Sequence, residues 1–416
     1  MWAPPAFPYT FPIIWGPLGA PFQLQVVVAF DSDPFDSSPI WTDITRDVQS
    51  ISTKRGRQTQ LGRMEAGTAS IRVKNHNGHY WSNNAAGPYF GKLLPGKAIQ
   101  IRASYTSSTS TVGYYLYSGF VTGWPPQWLS ATGGLDPVVD ITCVDLIKNL
   151  SRVTITANYA EEKSGTRVEN VLSDAGWPHG ATMRDIDAGT YDVQAAALVD
   201  EVAMSHLFAV QDAEDGGLLY IGTDGVVIFE AFQARLTETR SATSQAIFGD
   251  SVGENYYSDL LPEYDDEFIY NDISITPEGE ARQNVTDAAS IAAFGKRSLA
   301  KTSLVATNAE ALTQAEFKLY LYKEPFLRVR SLKIKAARDP HRLWPKVLGF
   351  EISTRVTVRE SEASIDGDFF IEGISHRIDL QNWSWETSFQ LSNATAAAWL
   401  LGIATRGELG QVTWLA

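Results

Sequence analysis

Six histidines, one cysteine and 48 acidic residues are the groups with which this chain could hold a metal or move a proton. His76 and His79 lie close together in Asn75-His76-Asn77-Gly78-His79-Tyr80. On a helix that spacing would place two imidazoles on one face and begin a zinc site. Here Asn-Gly closes a tight turn and no glutamate accompanies the pair as a zincin motif requires, so the segment reads as a turn tip. His179 and His341 follow prolines in loops, His206 is placed on a helix and His376 on a strand, and the four share no motif. Asp265-Asp266-Glu267 lacks the glycine-punctuated loop of a calcium site and reads as solvated. Gly133-Gly134 and Gly216-Gly217 lack the Lys-Ser/Thr of a phosphate loop, and no G-x-S-x-G elbow presents a nucleophile. No pair of carboxylates is singled out for glycan hydrolysis. No catalytic, cofactor or metal-binding residue is assigned.

Two groups of residues suggest contacts rather than catalysis. Lys54, Arg55, Arg57 and Arg63 form a local basic cluster, either an exposed loop or a contact for an acidic neighbouring subunit. Residues 1–22 are rich in proline and in aromatics, among them Trp2, Phe7, Tyr9, Phe11 and Trp15. Proline excludes helix and interrupts ladders, so this arm is expected to be extended, docked on a neighbouring subunit or on its own domain.

The elements that would position such contacts are mostly strands. Residues 23–150 alternate in short runs, for example Ala69, Ile71 and Val73 against Ser70 and Arg72. Turn signals at Asn77-Gly78, Pro95-Gly96 and Gly133-Gly134 separate them, the pattern of a barrel or sandwich. Cys143 falls in one such run and is expected to be a buried small apolar residue. Residues 151–265 read as a small α/β lobe, with helices at Arg167 to Ala175 and Val193 to Ala209 and a hairpin turning at Thr223-Asp224-Gly225. Residues 266–395 return to strands, with a helix at Asn308 to Tyr322, and 396–416 form a short apolar docking tail. The predicted class is mainly β with an α+β insertion, in the order β, then α/β, then β.

Composition narrows the function classes. At 416 residues the chain exceeds what one core serves. A net charge of −14 disfavours binding to nucleic acid or anionic membrane, and suits either plain solubility or the wall of a channel that DNA passes without adhering. One cysteine excludes an internal disulfide and a thiolate metal cluster. No apolar run reaches the ~20 residues of a membrane span, and the proline-broken N-terminus lacks the basic region of a secretory leader.

At residues 41–102 the text becomes specific. Trp41-Thr42-Asp43-Ile44-Thr45-Arg46-Asp47-Val48 precedes Arg55-Gly56-Arg57, then Glu65-Ala66-Gly67-Thr68-Ala69-Ser70-Ile71-Arg72-Val73-Lys74-Asn75 with Asn77-Gly78, then Gly87-Pro88-Tyr89 and Leu94-Pro95-Gly96-Lys97. This block resembles the opening barrel of the minor tail and tail tip hub proteins of long-tailed bacteriophages. Asp287-Ala288-Ala289-Ser290-Ile291 with Phe294-Gly295, Glu324-Pro325-Phe326-Leu327-Arg328, Phe370-Ile371-Glu372-Gly373-Ile374-Ser375-His376 and Trp383 to Ser392 resemble later elements of the same proteins. The order and spacing of these pieces carry the resemblance across most of residues 23–395.

The resemblance implies two tail-tube-like barrels flanking the lobe, as in the central hub of contractile tails. It implies a homotrimeric ring that meets a six-fold tube, contacts with the tail tube or distal tail protein, the tape measure protein and tip or fibre proteins, and passage of DNA through the channel. It brings no catalytic residues and no cofactor. The implied location is the virion tail tip. Two competing readings remain, a distal tail or receptor-binding protein with an exposed aromatic platform, for which Trp124 and Trp128 are the local candidates, and a β-rich cell-wall glycan hydrolase with converging carboxylates.

Overall fold

The computed structural model describes residues 22–107, 110–131, 134–178 and 183–394, with two short strands at Ala398–Trp399 and Trp414–Leu415. Alternation turns into burial as expected. In Glu65–Lys74 the residues Ala69, Ile71 and Val73 are buried while Thr68, Ser70 and Lys74 face solvent. In Ser384–Asn393 the buried face carries Trp385, Thr387, Phe389 and Leu391.

These strands belong to one 14-stranded sheet. Its main path runs Asp259–Glu263, Arg328–Ile334, Ser384–Asn393, Ile365–Asp379, Val48–Gly56, Glu65–Lys74, Gly134–Val144, Thr111–Gly123, Ala98–Thr106, Phe22–Val28 and Thr42–Asp43. Off this path Ile247–Phe248 pairs with Arg355–Glu360, which pairs with Ile365–Asp379, and Pro126–Ala131 pairs with Gly134–Val144. Among the described strands this path does not close on itself. The first and second β parts meet where Ile365–Asp379 pairs antiparallel with Val48–Gly56. Across that seam Ile378, Ile51, Ile71 and Ile141 stand opposite one another on four successive strands, each almost wholly buried. The seam therefore has a continuous apolar ladder as well as backbone hydrogen bonds.

Two main cores result. One runs under the large sheet from Leu24 and Val26 to Phe389 and Leu391, and so includes residues of both β parts. Helix Pro340–Gly349 covers part of it with Leu343, Trp344, Val347 and Leu348. The Trp344 ring lies 4.8 Å from Trp385 and 4.4 Å from Phe22. The other core fills the middle lobe, between helices Ser164–Asp174 and Ala203–Ala213 and strands Leu218–Ile221 and Val227–Glu230. Ile273, Ile275, Ala311 and Ala315, grouped by sequence with the second β part, belong to this lobe core.

Two local expectations change. The helix predicted over Val193 to Ala209 is a strand, Ala196–Val202, followed by a helix, Ala203–Ala213. The strand pairs with Thr154–Tyr159, and its bulge between Leu198 and Glu201 sets Asp200 in the left-handed region and leaves Val199 75% exposed. Tertiary pairing overrides the helical preference of an alanine-rich run. His341 lies in a helix, because Pro340 occupies the first helical turn, where its missing N–H is no loss. Its Nδ1 is 2.9 Å from the Tyr105 hydroxyl. The helix at Asn308–Tyr322 stands as predicted, closed at its start by a reciprocal capping box between Thr307 and Glu310. The arm residues Trp2, Phe7, Tyr9, Phe11 and Trp15, like His179, lie outside the described residues.

Two histidines are locked into these cores. His376, on Ile365–Asp379, is 2.9 Å from the Thr387 hydroxyl and accepts from the Trp385 indole N–H at its Nδ1. Burial, with repulsion from Arg55, pushes it down to about 3. His206 stacks on Tyr159, and burial, again with an arginine (Arg167) nearby, pushes it down to about 4. Both are neutral when folded. The unfolded chain takes up these protons near pH ~6.5 and the folded chain only well below, so stability falls as pH drops from about 6.5 toward 4. Urea midpoints at pH 7.5 and pH 5 should show this loss, and a His376→Gln variant should show a smaller one. An equal loss in the variant assigns the acid sensitivity to other groups.

Candidate functional site

The basic cluster divides by strand parity. Ile51, Thr53 and Arg55 occupy alternate positions of Val48–Gly56 and all face inward. Arg55 is 5% exposed; it donates to the Ile221 carbonyl (2.9 Å) and to Glu351 (2.6 Å), tying the sheet to the lobe. Arg57 is equally buried and donates to Glu372 (2.7 Å). Both side chains are thus turned into the fold rather than exposed at its surface. Lys54 and Arg63 do face solvent, paired with Glu65 (2.6 Å) and Asp212 (3.1 Å).

Glu372 is the centre of this arrangement. In the ladder between Ile365–Asp379 and Ser384–Asn393, Ile371 faces Leu391 and Gly373 faces Gln390, so Glu372 is the extra residue of a bulge. A bulge re-aims its unpaired side chain, here into the interior, where the carboxylate is fully buried. It accepts from Arg57, from both terminal nitrogens of Arg235 (2.8 and 3.0 Å) and from Ser392 (2.5 Å). Burial by itself would raise this carboxyl, but the Arg235 and Arg57 guanidiniums outweigh it and hold the group well below the ordinary carboxylate range. Arg235 also lies over the Phe370 ring, 4.5 Å from its centre. The chain seam is thus held by one carboxylate shared between an arginine of the first β part and an arginine of the lobe.

Beside this cluster opens a cavity of about 500 Å³, where the sheet, the lobe and helix Asn308–Tyr322 meet. Its lining is amphipathic, with Phe232, Phe317, Leu321 and Phe370 beside Arg63, Asp212, Asp215, Lys301 and Lys318. Asp212 faces Arg63, and Asp215 is ion-paired with Lys318. These carboxylates are held by cations rather than left as a converging acid–base pair.

The remaining sequence candidates are placed as follows. Asp265 lies with Glu263 and Glu267 in one acidic group, but the Arg328 guanidinium reaches all three and supplies the positive charge. His76 and His79 lie in the turn after Glu65–Lys74, with the His76 Nε2 3.2 Å from Asp136. Trp124 is stacked on Phe30 and Tyr80, whereas Trp128 is 55% exposed beside Trp81. Cys143 is buried, and burial pushes its thiol up. Among the described residues no helix is long and apolar enough to cross a membrane. Sequence reasoning missed Glu372, Arg235 and the cavity. Only the parity of Arg55 with Ile51 and Thr53 was available as a signal.

The mixed architecture, one large sheet bearing an α/β lobe, is similar to that of two solved tail proteins. It is shared with a tail protein from Neisseria meningitidis MC58, at a TM-score of 0.60 and 12% identity over 89% of this chain and 97% of that one. It is shared equally with the 43 kDa tail protein of prophage MuSo2 from Shewanella oneidensis, at 0.57 and 14% over 89% and 98%. No protein-family model matches the sequence, and no curated protein matches it significantly.

Proposed function

We propose that this chain is a structural subunit of a bacteriophage tail, placed at the tip as a hub, and that its role is assembly rather than catalysis. The observation that carries the reading is the near full-length likeness to two solved tail proteins, one of them from a prophage. The unbroken sheet supports it mechanically. A subunit in which both β parts share one hydrogen-bonded sheet and one apolar core moves as a rigid block. Three such blocks offer six β modules, so a trimer can meet a six-fold tube with matched contacts. The net charge of −14 suits a channel wall that repels passing DNA. In this role the chain joins the tube or distal tail protein to tip or fibre proteins and gates ejection.

Mass measurement in solution combined with particle imaging tests the proposal. The expected result is a trimeric ring with a central hole. A compact monomer at every concentration, and no ring when the tail tube or distal tail protein is added, overturns it.

A further inference from the structure

The amphipathic cavity contains an unsatisfied group. Asp215 is 4% exposed and lines the cavity, and although one carboxylate oxygen is paired with Lys318, Oδ2 has no hydrogen-bond partner. Its backbone is held in the left-handed region beside Gly216. A buried carboxylate oxygen without a donor costs free energy that a bound donor would recover, and a charged donor recovers most. The cavity lining beside it includes aromatic rings, with Phe232 and Phe317 edge to face at 5.6 Å. Such a site takes a cationic side chain carried on an apolar segment. About 500 Å³ falls within the ~300–1,000 Å³ of ordinary ligand pockets and admits a few side chains.

The chain itself supplies such a segment. Asn393 lines the cavity, so the residues that follow set out from its wall. Residues 395–416 are apolar, with Trp399, Leu400, Leu401, Ile403 and Leu409, and contain one basic side chain, Arg406, and one acidic, Glu408. Lys301 on the cavity wall has no ion-pair partner among the described residues and matches that acid. At ~3.5 Å per residue, the stretch from Asn393 to Arg406 reaches any point of the cavity. The other terminus fits poorly. Residues 1–21 hold no lysine, arginine or histidine, and they join the fold at Phe22, packed on Trp344 and Trp385 in the other core.

We propose, independently of the tail assignment, that the cavity seats the chain's own C-terminal segment, with the Arg406 guanidinium donating to Asp215 Oδ2. The segment then bridges sheet and lobe beside the Glu372 cluster.

Trypsin reads this directly, because it cuts after Arg406. In the full-length protein, loss of residues 407–416 is followed by mass, with Asp215→Asn as the comparison. The wild type is expected to resist, and Asp215→Asn to be cut about tenfold faster, as loss of one charge-assisted hydrogen bond implies. Arg406→Gln alters no residue of the described fold, and it should raise amide hydrogen exchange both in residues 403–409 and around Phe232. That second measurement decides the matter if Asp215→Asn fails to fold. Equal cutting of wild type and Asp215→Asn, or unchanged exchange in Arg406→Gln, overturns the proposal. Protection that disappears on dilution also overturns it, because the seated segment then belongs to a second copy.

Discussion

Replacing Glu372 by alanine is expected to cost about 3–5 kcal/mol, the usual penalty for removing one partner of a buried charge network. The variant leaves the Arg57 and Arg235 guanidiniums facing each other without a counter-charge, at side-chain exposures of 5% and 11%. The loss should appear as a lower urea midpoint and as earlier proteolysis at the seam between lobe and sheet. Glu372→Gln should fall between, because the amide oxygen still accepts but carries no charge. A variant that makes all three positions apolar, with Arg57→Met, Arg235→Met and Glu372→Leu, should recover much of the loss, since no unpaired charge then remains. The pH dependence has a definite sign. The folded carboxyl lies below its unfolded value, so its contribution is complete above the ~4.3 of free glutamate and disappears as pH falls through the folded value. The deficit of Glu372→Ala should therefore be constant at neutral pH and shrink progressively once the pH falls below the ~4.3 of free glutamate. A deficit under 1 kcal/mol at pH 7 would mean that the cluster is loosely held.

What the sequence made legible depended on whether a local pattern was its own evidence. Helix Asn308–Tyr322 was readable because its apolar spacing and capping box are contained in consecutive residues. Ser384–Asn393 was readable because Trp385, Thr387, Phe389 and Leu391 alternate with exposed or half-buried neighbours. Ala196–Val202 was misread for the complementary reason. Its strand character comes from pairing with Thr154–Tyr159, far away in sequence, and nothing within the segment announces it. The helix at Pro340–Gly349 was hidden because the proline that opens it, and a second at Pro345, look like loop signals. The site was the least legible part. Arg55 and Arg57 read as surface charge by composition, whereas alternation places Arg55 on the inward face with Ile51 and Thr53. Their partners, Glu351 and Glu372, lie about 300 residues further on. Glu372 points inward only because a bulge falls at that position, and a bulge is a property of the register of neighbouring strands.

The same seam explains why one core serves both β parts. Two separate open sheets would each need edge protection, whereas pairing Val48–Gly56 with Ile365–Asp379 satisfies both edges at once. The charged cluster then fixes the register, since a slip by one residue would turn Glu372 and the Ile378–Ile51–Ile71 ladder to the wrong faces.

Gly56→Ala should be nearly as damaging as loss of Glu372, for a reason that is steric rather than electrostatic. Gly56 has φ +89, a conformation that costs an L-residue about 1–2 kcal/mol. A Cβ there would also lie 2.2 Å from the Glu372 carbonyl oxygen and 2.7 Å from the Gly373 Cα, so the two strands must separate where Arg57 donates its N–H to that same carbonyl. Gly279 provides the control, with φ +75 and nothing within 4 Å of its missing Cβ. Gly279→Ala should show the conformational cost alone, about 1 kcal/mol. Gly56→Ala should exceed it by about 2 kcal/mol or more, measured as the difference in urea stability between the two variants. Equal losses would show that the seam yields without cost, and the Glu372 cluster could not then be what holds the sheet in register.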